Sequence, residues 1–196
     1  MNRSLMSLFL APVAAVSLAG CGINSIPAAE EEAKARWADV QNDYQRRSDL
    51  IPNLVETVRG AAAQERTVLR EVTEARASAN QIQVTGDQLT DPAAMSRFAE
   101  AQSRLTISLQ RLQEAYPDLK SNRNFETLMV QLEGTENRVG RSRERYNEAV
   151  QNYNTRIRTF PDVIGAKVFY GAQPMVPYQA DAAAQTAPKV DFGNGQ

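Results

Sequence analysis

A heptad series towards the C-terminal end is the feature that most constrains how this chain can fold. Large apolar or aromatic side chains stand seven residues apart at Phe125, Leu132, Val139, Tyr146, Tyr153 and Phe160. Because an α-helix repeats about every 3.6 residues, this spacing keeps one apolar face towards neighbouring helices over roughly 50 Å. The series predicts one long helix that begins near Asn122 and stops at Pro161, with its aromatic residues in the core.

Apolar residues at alternating spacings of three and four predict three further helices before this one. Their expected bounds are from Ala29 for the first, Ser48 or Asp49 to Asn80 for the second, and Pro92 to Tyr116 for the third. The third has the clearest start, because Asp91 offers a capping carboxylate and Pro92 suits a first helical position. Pro52 leaves an alternative open, in which the first two helices form one helix that is kinked at this proline.

Four such helices with short connections predict an all-α fold, an antiparallel up-and-down four-helix bundle over residues 29–170. Residues 83–91 form the longest expected internal loop. The segment VIGAKVFY, 163–170, is apolar, but it is short and Gly165 weakens it as a helix. We expect residues 171–196 to form a disordered tail, since a stretch so rich in Ala, Pro, Gln and Gly buries little surface.

The first residues are typical of an export signal that ends in a lipidation site. Arg3 precedes an apolar run from Leu5 to Leu18, which is too short to cross a bilayer comfortably. The tetrad LAGC, 18–21, resembles a bacterial lipobox and contains the sole cysteine. That resemblance implies cleavage before Cys21 and acylation of its sulfur and new amino group, with palmitate as one acyl chain.

We therefore expect a signal peptide at 1–20, a lipidated tether at 21–28 and membrane attachment through Cys21. The protein would lie in the cell envelope on the periplasmic side, and Gly22 favours the outer membrane if the cell is Gram-negative. An ordinary signal peptide with an incidental cysteine, or an uncleaved anchor helix, is the alternative.

The composition argues against the common kinds of enzyme. Without any histidine, the chain cannot form Ser-His or Cys-His pairs, imidazole metal sites or the Glu-x-x-His motif of di-iron bundles. Glu144 and Glu148 share a helical face, but the arginines around them favour ion pairing over acid–base chemistry. We expect no enzymatic activity, no cofactor and no metal.

The densest basic run of the chain supplies candidate contact residues. Arg138, Arg141 and Arg145 lie in it, and guanidinium groups suit an acidic partner or anionic lipid headgroups. Nucleic acid is not expected as the partner of an exported lipoprotein. The alternative is an ordinary surface face, in which the arginines alternate with glutamates such as Glu144 and Glu148.

The C-terminal segment APKVDF, 187–192, supplies a second set of candidate contact residues, Lys189, Val190 and Phe192. A short apolar segment at the end of a tail could pair with a strand of a partner or dock back onto the bundle. An inert tail is the alternative.

Several segments of the chain together resemble the LemA family of bacterial envelope proteins. They are RRSDLIPNLVETVRG (46–60), VTEARA (72–77), EAYPDLKSNRNFETL (114–128), ENRVGRSRERYNEAVQNYNTRIRTFP (136–161) and APKVDF (187–192). The resemblance implies a compact up-and-down helical bundle, no accepted enzymatic activity and no agreed ligand. Members commonly carry an N-terminal transmembrane anchor, whereas this chain carries a lipobox.

We expect a non-catalytic interaction or scaffold module, anchored in the membrane and in contact with other envelope proteins. One alternative is a small-ligand carrier with a cavity in the bundle, for which Gln102 and Arg143 are polar interruptions of the apolar seam. The other is a membrane scaffold that self-assembles into a homo-oligomer through the apolar region Phe160–Tyr170.

Overall fold

The computed structural model describes residues 24–61 and 66–179, and all regular structure in these two ranges is helical. The α-helices are α1 (Ser25–Ala61), α2 (Thr67–Gln81), α3 (Pro92–Ala115), α4 (Arg123–Arg156) and the short α5 (Asp162–Gly165). Two 3-10 turns, Gly86–Thr90 and Pro117–Ser121, precede α3 and α4, and a π-helical turn, Ala166–Tyr170, follows α5. The prediction of an all-α chain is confirmed. Within the described ranges, no helix combines the length and the hydropathy of a membrane-spanning segment.

The first predicted helix and the first part of the second form one continuous helix, α1, which has Pro52 in its interior. The alternative of a merged helix therefore holds, although an interior proline costs about 3 kcal/mol or more. Burial of Ile51 and Leu54 on either side of the proline offsets that cost. The helix also begins at Ser25 rather than Ala29, because the buried Ile26 extends the apolar stripe into the expected tether.

The remainder of the second predicted helix is α2, which is separate from α1. α1 ends at Ala61 and α2 begins at Thr67, so the prediction of one helix from Ser48 to Asn80 is wrong. Gly60 lies in the last turn of α1, where a glycine costs about 1 kcal/mol relative to alanine. The apolar spacing continues across the break, which is why periodicity alone did not reveal it.

The predicted boundaries of α3 and the start of α4 agree with the structure. α3 begins at Pro92 and ends at Ala115, immediately before Tyr116. At the start of α4 the side-chain oxygen of Asn122 accepts hydrogen bonds from the backbone N–H groups of Asn124 and Phe125, at 3.0 and 3.3 Å. This cap satisfies two N–H groups that have no partner within the helix.

The heptad series is buried as predicted, except for its last member. Phe125, Leu132, Val139, Tyr146 and Tyr153 are all in the core of the unit to which each belongs. α4 ends at Arg156, and Phe160 is 80% exposed, so the prediction that Phe160 lies in the core is wrong. A heptad spacing keeps residues on one face only while the helix continues.

The described chain forms two compact units, each with its own core. The first unit contains residues 24–47, 85–91 and 133–177. Trp37 packs against Tyr146 at its centre, with 5.0 Å between the ring centroids and an angle of 56° between the planes. Val40 and Val139 are fully buried in the same unit.

Residues 171–177, which were expected to begin a disordered tail, belong to the first unit, although they have no regular secondary structure. The backbone N–H of Val176 donates to the carbonyl of Leu89 at 2.8 Å, and the Tyr146 hydroxyl donates to the carbonyl of Val176 at 2.8 Å. The side-chain amide of Asn154 donates to the carbonyl of Met175 at 2.8 Å and accepts a hydrogen bond from the backbone N–H of Met175 at 2.9 Å. These hydrogen bonds satisfy backbone groups of the segment, and they cannot be predicted from its amino-acid composition.

The second unit contains residues 48–61, 66–84, 92–132 and 178–179, and α2 packs on α3 within it. Its core is apolar and includes Leu54, Val72, Leu105 and Leu112. Because Pro52 has no N–H, the carbonyl of Ser48 lacks its helical donor, and the Arg76 guanidinium donates to that oxygen instead, at 2.9 Å. The Ser48 hydroxyl donates to Asn80 of α2 at 2.9 Å.

Candidate interaction surfaces

The structure describes only part of the predicted contact set. Arg138, Arg141 and Arg145 lie on α4 within the first unit. Cys21 and the tail residues Lys189, Val190 and Phe192 lie outside the described residues.

Arg138, Arg141 and Arg145 form one exposed face of α4, which we call the arginine face. Their spacing of three and then four residues places them on the same side of the helix, along about 10 Å of its length. All three side chains are exposed, and none makes an ion pair with a residue that the structure describes. No carboxylate of the described chain therefore lies within ion-pairing distance of the three guanidinium groups.

The glutamates near the arginine face do not pair with it. Glu144 and Glu148 are exposed on α4 and make no ion pair within the described part of the chain. Glu136 accepts a hydrogen bond from Arg47 of α1, at 2.7 Å. Arginines and glutamates alternate along this exposed part of α4, as the alternative of an ordinary surface face expects, but the glutamate that pairs, Glu136, does so with an arginine of another helix.

Arg47 is a buried charged residue that the sequence analysis missed. Its side chain is 2% exposed, its guanidinium lies 5.0 Å from the centroid of the Tyr44 ring, and its ion pair with Glu136 joins α1 to α4. The alternating three- and four-residue spacing of Trp37, Val40 and Tyr44 continues to this position. That continuation is the signal that could have identified a buried arginine.

The residues proposed as polar interruptions of the seam have different surroundings. Gln102 is buried in the second unit, and Arg143 is half-buried in the first unit. They belong to different units, and neither lines the cavity described next. The carrier hypothesis therefore gains no support from this pair.

A cavity of about 480 Å³ lies between α2 and α3 in the second unit. Its lining includes Glu71, Arg104, Ile107 and Arg111, and an ion pair of 3.7 Å joins Arg111 to Glu71 beside it. Both Arg104 and Arg111 are largely exposed, so the cavity is an open groove in contact with water. A small polar or charged molecule is the kind of ligand that such a lining would suit.

A second exposed surface lies beyond the end of α4. It consists of five large apolar side chains that are between 42% and 80% exposed, Phe160, Ile164, Val168, Phe169 and Tyr170. We call this surface the apolar patch. The π-helical turn that carries its last three members ends at Gly171, whose φ of 56° is a conformation that favours glycine. Most exposed apolar residues occur singly, so five in eleven positions are unusual for a water-facing surface.

The segment that carries the apolar patch is tied to the start of α1. The hydroxyl of Ser25 donates to the carboxylate of Asp162 at 2.8 Å, and Arg156 lies 3.9 Å from the same carboxylate. The described chain begins at Asn24, so its first residues and the apolar patch are neighbours within the first unit.

Two buried tyrosines of the first unit keep their hydroxyl protons to higher pH than is usual. Burial raises the pKa of the Tyr146 hydroxyl, which donates to the carbonyl of Val176. Burial also raises the pKa of Tyr153. Within residues 24–61 and 66–179, no three His, Cys, Asp or Glu side chains come together in a way that could hold a metal ion.

Comparison with known proteins identifies one family. The model of the LemA family matches residues 36–192, a range that includes the arginine face, the apolar patch and the APKVDF segment. No match is found among curated proteins.

Proposed function

The chain belongs to the LemA family, and from this premise we propose that it is a membrane-anchored lipoprotein of the bacterial envelope. It acts as a non-catalytic interaction module that is attached through acylated Cys21 on the periplasmic side, and it binds an acidic surface of another envelope protein. The lipobox LAGC, 18–21, supports the attachment.

The observation that carries the proposal is the arginine face. Three guanidinium groups without an ion pair to the described residues present five N–H donors each, in a planar arrangement that matches carboxylates. Because these groups are held on one side of a rigid helix, an acidic partner would bind them without ordering a loop. Such an interaction weakens as salt concentration rises, since exposed charges are screened.

We further propose that the helices are arranged as an antiparallel up-and-down four-helix bundle. Four long helices, α1 to α4, follow one another with connections of five, ten and seven residues. Connections of up to about eight residues are typical between antiparallel neighbours in helical bundles, and the longer connection of ten contains the 3-10 turn Gly86–Thr90.

Cross-linking in native membranes tests the proposed interaction. The variant R138E/R141E/R145E reverses the charge of the arginine face, and R66E/R97E/R123E is its matched control, with the same change in net charge at exposed arginines elsewhere. We expect one envelope protein to be captured by the wild type and by the control, and to be lost with the arginine-face variant. Equal capture by both variants would show that the arginine face is not the binding surface.

Acylation is tested separately, by growing the cells with labelled palmitate. The label should enter the wild-type protein and be absent from Cys21→Ser. Incorporation in both proteins, or in neither, would contradict lipidation at Cys21.

The groove between α2 and α3 supports a second candidate, a carrier of a small charged ligand. In that case E71Q/R111Q would abolish binding of the ligand, whereas the arginine-face variant would leave it unchanged. Self-assembly through the apolar patch is a third candidate, and it predicts that cross-linking captures only copies of the protein itself.

A further inference from the structure

We infer that the apolar patch inserts into the surface of the lipid bilayer, so that the protein is attached to the membrane both by a lipid and by its own side chains. This inference rests on the proposed attachment through Cys21, and it adds a membrane-binding site that the interaction module alone does not require.

The first argument is the composition of the patch. Phe160 is exposed in the turn before α5, and Ile164, Val168, Phe169 and Tyr170 are exposed on α5 and the π-helical turn. Removing such side chains from water is favourable in proportion to the apolar area that is buried. The interface between headgroups and acyl chains accepts this kind of group, and a tyrosine there keeps its hydroxyl in the polar layer.

The second argument is the distance to the site of lipidation. Ser25 is hydrogen-bonded to Asp162, which lies in the segment that carries the patch. Asn24, the first described residue, is three positions after Cys21, and three residues span at most about 11 Å of extended chain. Acyl chains on Cys21 would therefore hold this end of the first unit close to the bilayer surface.

The third argument is the charge around the patch. Residues 156–170 contain three basic side chains, Arg156, Arg158 and Lys167, and one acidic side chain, Asp162, while the acidic side chains at the start of α1, Glu30 to Glu32, are ion-paired with Lys34 and Arg36. Arg156 is paired with Asp162, whereas Arg158 and Lys167 are exposed. Cationic side chains around an apolar surface bind the anionic headgroups of a membrane and keep their charged ends in the polar layer.

The same charges argue against a second copy of the chain as the occupant of the patch. A symmetric contact between two patches would bring Arg158 and Lys167 of one copy towards the same cations of the other, and like charges at an interface cost binding energy. An anionic bilayer has the opposite charge and needs no complementary shape. The bilayer is therefore the occupant that the observations favour.

Tryptophan fluorescence in vesicles tests the insertion directly. The full-length acylated protein carrying F169W is reconstituted in phosphatidylglycerol-containing vesicles whose acyl chains are brominated and quench nearby indoles. The matched control is N42W, at an exposed position of α1 that lies roughly 26 Å along the helix from Ser25 and outside the arginine face. Both variants keep the native Trp37, which is buried and contributes the same background. We expect the bromolipids to quench F169W several-fold more strongly than N42W, and equal quenching would overturn the inference.

Two further outcomes separate this inference from the proposed function. If the wild type incorporates palmitate and F169W is not quenched, the insertion is wrong and the lipid attachment stands. If palmitate does not enter the protein and F169W is still quenched, the insertion stands and the lipid attachment is wrong. Cross-linking between copies at position 169 without quenching would make a second copy the occupant and overturn the inference.

Discussion

Arg47 occupies a position of α1 where the buried stripe would otherwise carry an apolar side chain. Its charge is balanced by Glu136 at 2.7 Å, and Glu136 is 49% exposed, so the pair has one end in the core and one end in water. Breaking a buried pair by removing one partner costs more than replacing both, because the remaining charge stays buried. A pattern search that treats every arginine as a surface residue cannot find such a position.

We expect Glu136→Gln to lower the free energy of unfolding by about 1–2 kcal/mol, because the buried guanidinium loses its charged partner. Arg47→Met removes the charge and retains much of the volume, so the double variant should lose less than the sum of the two single variants. Urea unfolding of the wild type and the three variants measures this coupling. Additive losses would contradict a direct interaction between the two side chains.

Tyr146 makes stability sensitive to alkaline pH. Burial raises its pKa, so in the unfolded chain the group ionises near its ordinary value of 10.0 while the folded protein keeps it protonated. Above about pH 10 the unfolded state therefore binds fewer protons than the folded state, and stability falls as pH rises. Below that pH this contribution is fully present.

Tyr146→Phe should lower the free energy of unfolding by about 1 kcal/mol at neutral pH, because the hydrogen bond to the Val176 carbonyl is lost. The same variant should lose less stability than the wild type between neutral pH and about pH 11. Urea unfolding across this pH range measures both effects. An unchanged alkaline slope would mean that other groups cause the fall.

At the scale of the helices, Pro52 shows how an interior proline is accommodated. It leaves the carbonyl of Ser48 without a helical donor, and Arg76 of α2 supplies one from outside the helix. The sequence indicated both possible outcomes for this proline, a break or a kinked continuation, and the choice between them depends on that contact. Because Arg76 is distant from Pro52 along the chain, no local pattern could have made the choice.

Arg76→Ala should destabilise the protein by about 1–2 kcal/mol, since the Ser48 carbonyl loses a charged donor. In the Pro52→Ala background the same substitution should cost less, because alanine restores the backbone N–H that reaches this carbonyl. Thermal and urea unfolding of the four proteins would measure the difference. An equal cost in both backgrounds would mean that Arg76 does not substitute for the missing helical donor.

The end of α4 separates two aromatic residues that share one heptad series. Tyr153→Ala should cost about 3 kcal/mol or more, because it removes a buried ring, whereas Phe160→Ala should change stability by less than about 0.5 kcal/mol. Urea unfolding of the unlipidated form in detergent-free buffer makes this comparison. A large loss for Phe160→Ala would place its ring in the core.

The sequence predicted the middle parts of the helices better than their ends. The apolar stripes gave the all-α class, the start of α3 and the burial of Phe125 to Tyr153, because burial of one face is a periodic property. The break between α1 and α2 and the end of α4 at Arg156 were missed, because local backbone geometry ends a helix without interrupting its periodicity. The three residues of the arginine face were predicted from the sequence. That they make no ion pair with the described residues was not predictable, because the partner of the nearby Glu136 is Arg47, which lies on another helix.

At the scale of the molecule, α1 and α4 each contribute residues to both units. α1 passes from the first unit to the second between Arg47 and Ser48, and α4 passes from the second to the first between Leu132 and Glu133. The packed segment 171–177 was missed at this scale, because its bonds to Leu89, Tyr146 and Asn154 depend on residues far away in sequence. Amino-acid composition indicates only how much apolar surface a segment can bury in a core.

Leu105→Ala, in the second unit, should lower the thermal midpoint seen by Trp37 fluorescence as much as the midpoint seen by circular dichroism. Trp37 is in the core of the first unit, but helix formation is cooperative along α1 and α4, so the two units should unfold together. The loss should be about 2–5 kcal/mol for a fully buried leucine. Two separate midpoints would mean that each unit unfolds independently.

The passage of α4 through both units limits how the length of this chain can change. Within the first unit, inserting one residue of α4 between the buried Val139 and the buried Tyr146 would turn one of them by about 100° around the helix axis relative to the other, so both could no longer be buried. An insertion of seven residues would restore the register, whereas one of two or three would not. Insertions and deletions in related chains should therefore fall in the connections between helices, and those within α1 and α4 should come in whole heptads.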